Sequence, residues 1–397
     1  MLKLALYGGK PIRNARLSYG HQYIDEADIQ AVTEVLKSDF LTCGPKVSEL
    51  EQALCGLTGA AHCTVVSNGT AALHVACLAA EIGPGDEVIT TPITFAASSN
   101  AILYCGGTPI FADIDPKTYT VSPESIERCV TERTKAVIAV DFTGAACDYD
   151  AIRRICQKHN LLLIEDAAHS IGTTYQGTPV GNIADLTTFS FHPVKTITAG
   201  EGGAVLSKDD KLAKRVELFV RHGITRDPEL LQDHSNSNWY YEQQFLGYNY
   251  RLTDIQCALA LSQLKKLDRF AVRRKELVRR YNEAFSEIPE IIVQEEVEGS
   301  DTVRHLYILC LDFSRLKCGR KEFYDAMQAE NIGVNVHYIP VYWFPYYQSL
   351  GYGKGLCPNA EAYYESSMTL PLFYSMSDQD QDDVIGAVKK LIGYFRK

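Results

Sequence analysis

The chain has no long apolar run. Its opening segment, MLKLALYGG, is too short for a secretory signal, and no later stretch of the 397 residues is long and apolar enough to span a bilayer. The sequence therefore reads as a cytoplasmic protein with no membrane partner. Positive charge is also in short supply: 39 Lys and Arg against 49 Asp and Glu leave a net charge of −10. That balance argues against a nucleic-acid or anionic-membrane binder, which needs clustered cations. An anionic substrate would have to find local donors and backbone amides instead. None of the twelve cysteines forms a CxxC pair. Most sit in apolar settings, as Cys63 before VVS, Cys77 in HVACLAA and Cys257 in IQCALAL, so buried thiols are expected rather than a disulfide framework or a metal site. There is no Walker loop and no GxGxxG, which leaves a nucleotide hydrolase or a dinucleotide enzyme without a motif. Tandem repeats, low-complexity tracts and polar linkers are absent too.

What is present is ordinary soluble composition, 46% apolar and 22% charged, in a chain long enough for two domains. From about residue 60 to 207, strand-like segments alternate with helical ones: CTVVS, EVITTP, TPIFAD, KAVIAVD, LLLIED, TTFSFH and AVLS. Such alternation predicts βαβ crossovers and an α/β fold with a mostly parallel central sheet and helices on both faces. The turn AGEGG is too short for a crossover, so AVLS is expected antiparallel to the strand before it. Residues 252 to 287 read as one nearly continuous helix, with Ile255, Leu259, Leu264 and Leu267 at helical spacing. We expect a large domain over 1–265, with an N-terminal arm, and a smaller α+β domain over 266–397. The smaller domain would hold the strand HLYILCLDF, the helix KEFYDAMQAENI, the strand VNVHYIP, and a terminal helix capped by Ser377.

The stretch from Leu161 to Ser207 is the most informative. LLLIED ends on Asp166, and LTTFSFH leads into Lys195. If these strands are parallel neighbours, a carboxylate and an amine meet at the rim where open α/β sheets bind ligands. That pairing suits pyridoxal phosphate: the lysine forms a Schiff base with the aldehyde, and the carboxylate keeps the ring nitrogen protonated. A carboxylate ending an apolar run is costly without a cationic partner, although a helix cap or a structural ion pair would also account for Asp166. His169, three residues on, suits either a cofactor contact or a satisfied structural site. SNGTAAL follows a strand and opens a helix, so Gly69 and Thr70 suit a phosphate cradle; an ordinary N-cap has the same composition. Ser190 supplies a second hydroxyl on the rim of Lys195.

Together these segments resemble the DegT/DnrJ/EryC1/StrS family of sugar aminotransferases, enzymes of the fold-type I pyridoxal phosphate class. The resemblance spans nearly the whole chain through SNGTAAL, GDEVITTPITFAASSNAI, EDAAHS, SFHPVKTITAGEGG and GYNYRLTDIQCALALSQLKKLD in that order. It implies that Lys195 is the Schiff-base lysine and Asp166 the pyridinium partner. It further implies that His169 contacts the ring or its hydroxyl, that Phe95 stacks on the ring, and that Gly69, Thr70 and Ser190 hold the phosphate. Asn249 in GYNYR matches an asparagine that reaches the phosphate from the neighbouring subunit, so a homodimer with shared sites is implied. Taken alone, Phe95 suits a core position and Asn249 a turn. HGITRDP, LTCGPKV and VNVHYIP resemble the branch that aminates carbon four of a UDP-linked 4-keto-6-deoxy-N-acetyl-hexosamine in pseudaminic acid biosynthesis. In that branch Tyr19, Asp39, Phe40, Leu41, Thr42, His337 and Tyr338 correspond to segments that contact the sugar nucleotide. Two features depart from it: Asp39 stands where related chains can carry a basic residue, and YWFPYY after VNVHYIPV is unusually aromatic.

The expected activity is thus transamination of a nucleotide-linked keto sugar with glutamate as donor. Two alternatives compete with it. A dehydratase of the same superfamily would carry histidine where Lys195 stands. A non-catalytic nucleotide-sugar binding protein would not need its lysine, aspartate and phosphate ligands intact.

Overall fold

A computed structural model describes residues 3–233 and 237–397. Seven strands form its central sheet: β1 (His62–Val66), β2 (Glu87–Thr90), β3 (Thr108–Phe111), β4 (Thr134–Val140), β5 (Leu162–Asp166), β6 (Leu186–Ser190) and β7 (Gly203–Ser207). Their spatial order is β1-β7-β6-β5-β4-β2-β3. The pairs β2–β3, β2–β4, β4–β5 and β5–β6 are parallel. β7 runs antiparallel to both of its neighbours, as the short AGEGG turn requires.

Successive strand residues point to opposite faces, and two apolar cores record that alternation. Val137, Ala139, Leu163, Phe189 and Leu206 pack on one side. Ala136, Ile138, Ile164, Leu186 and Val205 pack on the other, against the buried helix Gly69–Ala79. Both faces are therefore covered, which is why these strands are apolar runs rather than alternating ones. Asp166 ends β5 in register with Thr188 of β6 on one side and Val140 of β4 on the other. The chemistry-bearing residues thus gather at the carboxyl ends of parallel strands.

A further core lies under a small antiparallel sheet built on Tyr307–Leu311 and Ser367–Leu370. Leu277, Tyr281 and Phe285 meet Phe323 and Met327 there, with Val384, Val388 and Leu391 of the terminal helix Asp378–Phe395. Ser377 caps that helix, accepting from the Asp380 amide and donating to its carboxylate in a capping box. Leu4 and Leu17 also belong to this core, so the N-terminal segment packs beside residues from the far end of the chain.

Two expected elements take a different form. The nearly continuous helix over 252–287 is interrupted once, between Asp254–Leu264 and Leu267–Phe285. At the break, the Lys266 ammonium reaches Asp28 at 2.6 Å and also pairs with Asp25, while Gln263 donates to Asp28 at 2.8 Å. This long-range ion pair fixes the break, and helical periodicity carries no trace of it. VNVHYIP forms no strand. It keeps one isolated bridge, Asn335 to Thr369, because the His337 ring turns onto the Thr369 hydroxyl at 2.7 Å and Pro340 has no amide hydrogen to extend a ladder.

Candidate active site

A cavity of about 940 Å³ opens at the carboxyl ends of β4, β5 and β6. Gly69, Thr70, Phe95, Asp166, His169, Ser190 and Lys195 all line it, and so do Tyr19, His337 and Tyr338.

Asp166 is buried, with 5% of its surface exposed. Ser98 Oγ donates to one carboxylate oxygen at 2.6 Å and the Ala168 amide to the other at 3.2 Å. Burial nevertheless pushes its pKa up, against the pull of those two donors and of Lys195. A cation brought against this carboxylate would relieve that cost. Lys195 lies within electrostatic reach of Asp166, and desolvation brings its ammonium pKa down to about 8 despite the carboxylate. Its amine is therefore substantially uncharged at mildly alkaline pH, which a nucleophile and proton carrier needs.

His169 is buried, and desolvation holds its pKa well below the ordinary imidazole value. Its Nε2 lies 3.4 Å from the Tyr338 hydroxyl, while its buried Nδ1 has no partner among the described residues. Phe95 is 65% exposed, which removes it from any core; its ring stands 6.4 Å from that of Tyr338.

The expected phosphate cradle rests on close packing. Asn68 caps the helix Gly69–Ala79 by accepting from the Ala71 amide at 2.8 Å, leaving amides of the first turn open towards the cavity. A Cβ on Gly69 would fall 2.9 Å from Ser190 Cβ and 3.0 Å from its hydroxyl. Only glycine lets the helix end approach Ser190 so closely, and the two hydroxyls of Thr70 and Ser190 then flank those amides.

Five expected residues lie outside this cavity. Asp39, Phe40, Leu41 and Thr42 are exposed, in the loop leading to the helix Pro45–Thr58. Leu41 O accepts from the Asp254 amide, and Thr42 bridges Thr253. Asn249 is exposed and bridges Arg221. Conversely, Ser98 and His305 line the cavity although neither was marked out in the sequence. Ser98 stands in ITFAASSN without any local mark of its contact to Asp166. Phe344, in the aromatic YWFPYY, lines the wall. His305 stands two residues before the strand Tyr307–Leu311, and its ring sits 4.6 Å from that of His169. Only the fold brings that strand to the rim.

Residues 22–389 match the DegT/DnrJ/EryC1/StrS aminotransferase family. The chain belongs to this family. The Bacillus subtilis (strain 168) spore coat polysaccharide biosynthesis protein SpsC is 44% identical over 382 residues, covering 96% of this chain and 98% of SpsC. Among solved structures, Helicobacter pylori PseC, an aminotransferase involved in pseudoaminic acid biosynthesis, superposes with a TM-score of 0.88 at 32% identity, covering 96% of this chain and all (100%) of PseC. The sugar aminotransferase Spr1654 of Streptococcus pneumoniae, described as putative in its own structure and solved there in the PMP form, gives 0.89 at 32% identity over 95% of this chain and 99% of its own.

The fold is that of the fold-type I aminotransferases, and this DegT/DnrJ/EryC1/StrS member is a sugar aminotransferase dependent on pyridoxal phosphate. The cavity fits that cofactor. A buried carboxylate in need of a cation, an amine with a lowered pKa, and a helix end cleared by glycine match a ring nitrogen, an aldehyde and a phosphate respectively. No helix of the described residues is long and apolar enough to cross a membrane. No cluster of three or more His, Cys, Asp or Glu able to hold a metal occurs among them either.

Proposed function

We propose that the enzyme transfers the amino group of glutamate to a nucleotide-linked 4-keto-6-deoxy sugar in the cytoplasm. The substrate of first choice is UDP-4-keto-6-deoxy-N-acetyl-hexosamine, as in pseudaminic acid biosynthesis. The observation that carries the reading is the meeting of Lys195 and Asp166 in one cavity whose wall also includes the Gly69–Ser190 cradle. The similarity to PseC and the segments HGITRDP and LTCGPKV support the sugar; the spore coat relative SpsC keeps the wider class of surface polysaccharide precursors in the test.

Pyridoxal phosphate, when bound, supplies an aldehyde for amine exchange and a ring that withdraws electrons from the neighbouring carbon. Lys195 anchors the cofactor at rest. Once freed, its amine would carry a proton from the donor's α-carbon to the cofactor's aldehyde carbon, and in the second half from that carbon to carbon four of the sugar. Asp166 holds the ring nitrogen cationic, and Ser98 and the Ala168 amide keep its carboxylate aimed. Gly69, Thr70 and Ser190 hold the phosphate, with Asn249 of a second subunit; Phe95 and His169 hold the ring. Tyr19, His337 and Tyr338 meet the sugar nucleotide, joined by Asp39, Phe40, Leu41 and Thr42. This division of labour implies a homodimer, with residues 1–265 carrying the cofactor and 266–397 closing over it.

The test is incubation with a panel of UDP- and dTDP-4-keto sugars plus glutamate, with the product identified by NMR. The expected result is a 4-amino sugar and 2-oxoglutarate in equal amounts. Sugar consumed without 2-oxoglutarate would overturn the reading in favour of a dehydratase.

A further inference from the structure

We propose that His305 is a positioning residue for the transamination: it keeps the His169 imidazole correctly turned against the cofactor ring. The inference rests on the function proposed above, because it gives His169 a cofactor contact to make.

The two rings are the closest aromatic pair at the floor of the cavity, with centroids 4.6 Å apart and planes at 46°. Both histidines are buried, and the Nδ1 of each has no hydrogen-bond partner among the described residues. Leaving two imidazole nitrogens unsatisfied in a protein interior is costly, so such a pair is expected where a ligand completes it.

Three devices fix His305 in this place. Its amide donates to Thr143 O at 2.7 Å. Its carbonyl accepts from Arg274 Nη1 at 3.3 Å, and the same nitrogen also reaches the carbonyls of Arg304 and Leu372. Arg274 is itself buried, and desolvation lowers its pKa to about 10. A buried guanidinium spent on three backbone carbonyls holds this stretch of chain rather than a substrate. Third, Thr143 and Gly144 adopt positive φ of 65° and 100°. A Cβ on Gly144 would lie 2.4 Å from Val303 O and 3.0 Å from both His169 O and His305 N. The glycine turn is thus wedged between the two histidine-bearing segments, and nothing larger fits.

The charged and titratable groups around the pair are Lys195, Arg274 and His337, with Tyr338 on the far side of His169. Every one of these that carries charge is cationic, which discourages a proton on either imidazole. His169 is therefore left as a neutral ring whose orientation depends on what packs against it. Tyr338 meets it at one nitrogen, and the His305 ring packs against it at a tilt of 46°.

The experiment compares wild-type holoenzyme with H305F and H305Q, after cofactor content and thermal midpoint are recorded for each. Phenylalanine fills the space without the polar edge, and glutamine restores a polar group. In H305F we expect kcat to fall roughly tenfold at unchanged KM, because a differently packed His169 ring loses its aim on the cofactor. The pH midpoint of the bound cofactor's visible band, read without donor, should move by roughly half a unit or more. H305Q should recover part of both. Wild-type kcat and band in a fully loaded H305F overturn the proposal. If neither variant folds, ¹⁵N NMR of the wild-type imidazoles decides: both rings must stay neutral in one tautomer from about pH 6 to 8, a window across which free histidine titrates, and a titrating or exchanging ring overturns the proposal. A wild-type protein that takes up no pyridoxal phosphate would instead sink the function proposed above, so the two failures are distinguishable.

Discussion

At the scale of single residues, desolvation sets the chemistry. Lys195 carries a free amine only because burial opposes its charge more strongly than Asp166 favours it. Only the uncharged amine attacks an aldehyde, so protein stripped of cofactor should take up pyridoxal phosphate faster as pH rises through about 8, then level off. The growth of the visible band, followed by stopped flow across pH 6.5 to 9.5, measures this. A rate that falls with pH over that range would contradict a lysine poised near 8. The Gly69 contact gives a second prediction. Gly69→Ala puts a methyl group 2.9 Å from Ser190 Cβ, forcing the helix end and the hydroxyl apart. The cofactor should dissociate at least about tenfold more readily, as expected when a well-placed charge-assisted hydrogen bond is lost. Equilibrium dialysis measures that. Far-UV circular dichroism should remain unchanged, since the helix itself tolerates alanine better than glycine.

At the scale of elements, local pattern and long-range contact divide the result. The seven strands were legible because a sheet buried on both faces needs uninterrupted apolar runs, and runs such as KAVIAV or LLLI have few other readings. The antiparallel β7 was legible from loop length alone. The place of the one break in the helix over 252–287 was not legible, because it depends on Asp25 and Asp28, more than two hundred residues away in sequence. Asp28 is fully buried, so its ion pair with Lys266 is the kind that is costly to halve. Lys266→Met should lower stability by about 3 kcal/mol, read as a reduced urea midpoint at unchanged slope. Asp28→Asn combined with Lys266→Met should recover part of that loss, because no unpaired charge remains buried. A K266M midpoint equal to wild type would show that the break has another cause. The segment after Asn335 was misread for a similar reason: its β-rich composition suits a strand, but His337 finds Thr369 through the fold.

At the scale of the whole molecule, the cavity has a telling composition. Lys195 is the one lysine in its wall, and no arginine is there, yet a pyridoxal phosphate and a nucleotide diphosphate are both strongly anionic. The helix amides at Gly69–Thr70 and the Thr70 hydroxyl would suffice for one phosphate and leave little for a second. Asn249 and the loop from Asp39 to Thr42 lie on the surface outside this cavity, beside a smaller notch lined by Arg221 and Arg251. The sequence could mark Asn249 through its motif. It could not say on which subunit's site the side chain falls, because that depends on a docking geometry that no spacing within one chain encodes. If Asn249 serves a neighbour, two inactive variants must repair each other. Lys195→Ala and Asn249→Ala should each lose activity as separate homodimers. When equal amounts are unfolded and refolded together, half of the dimers pair one of each kind, and each such dimer rebuilds one complete site. Activity should then return to about one quarter of the wild-type value, since about one site in four is intact under random pairing. A mixture no more active than the average of its parents, in material shown by sedimentation to be dimeric and exchanged, would confine Asn249 to its own chain and remove the reason for a shared site.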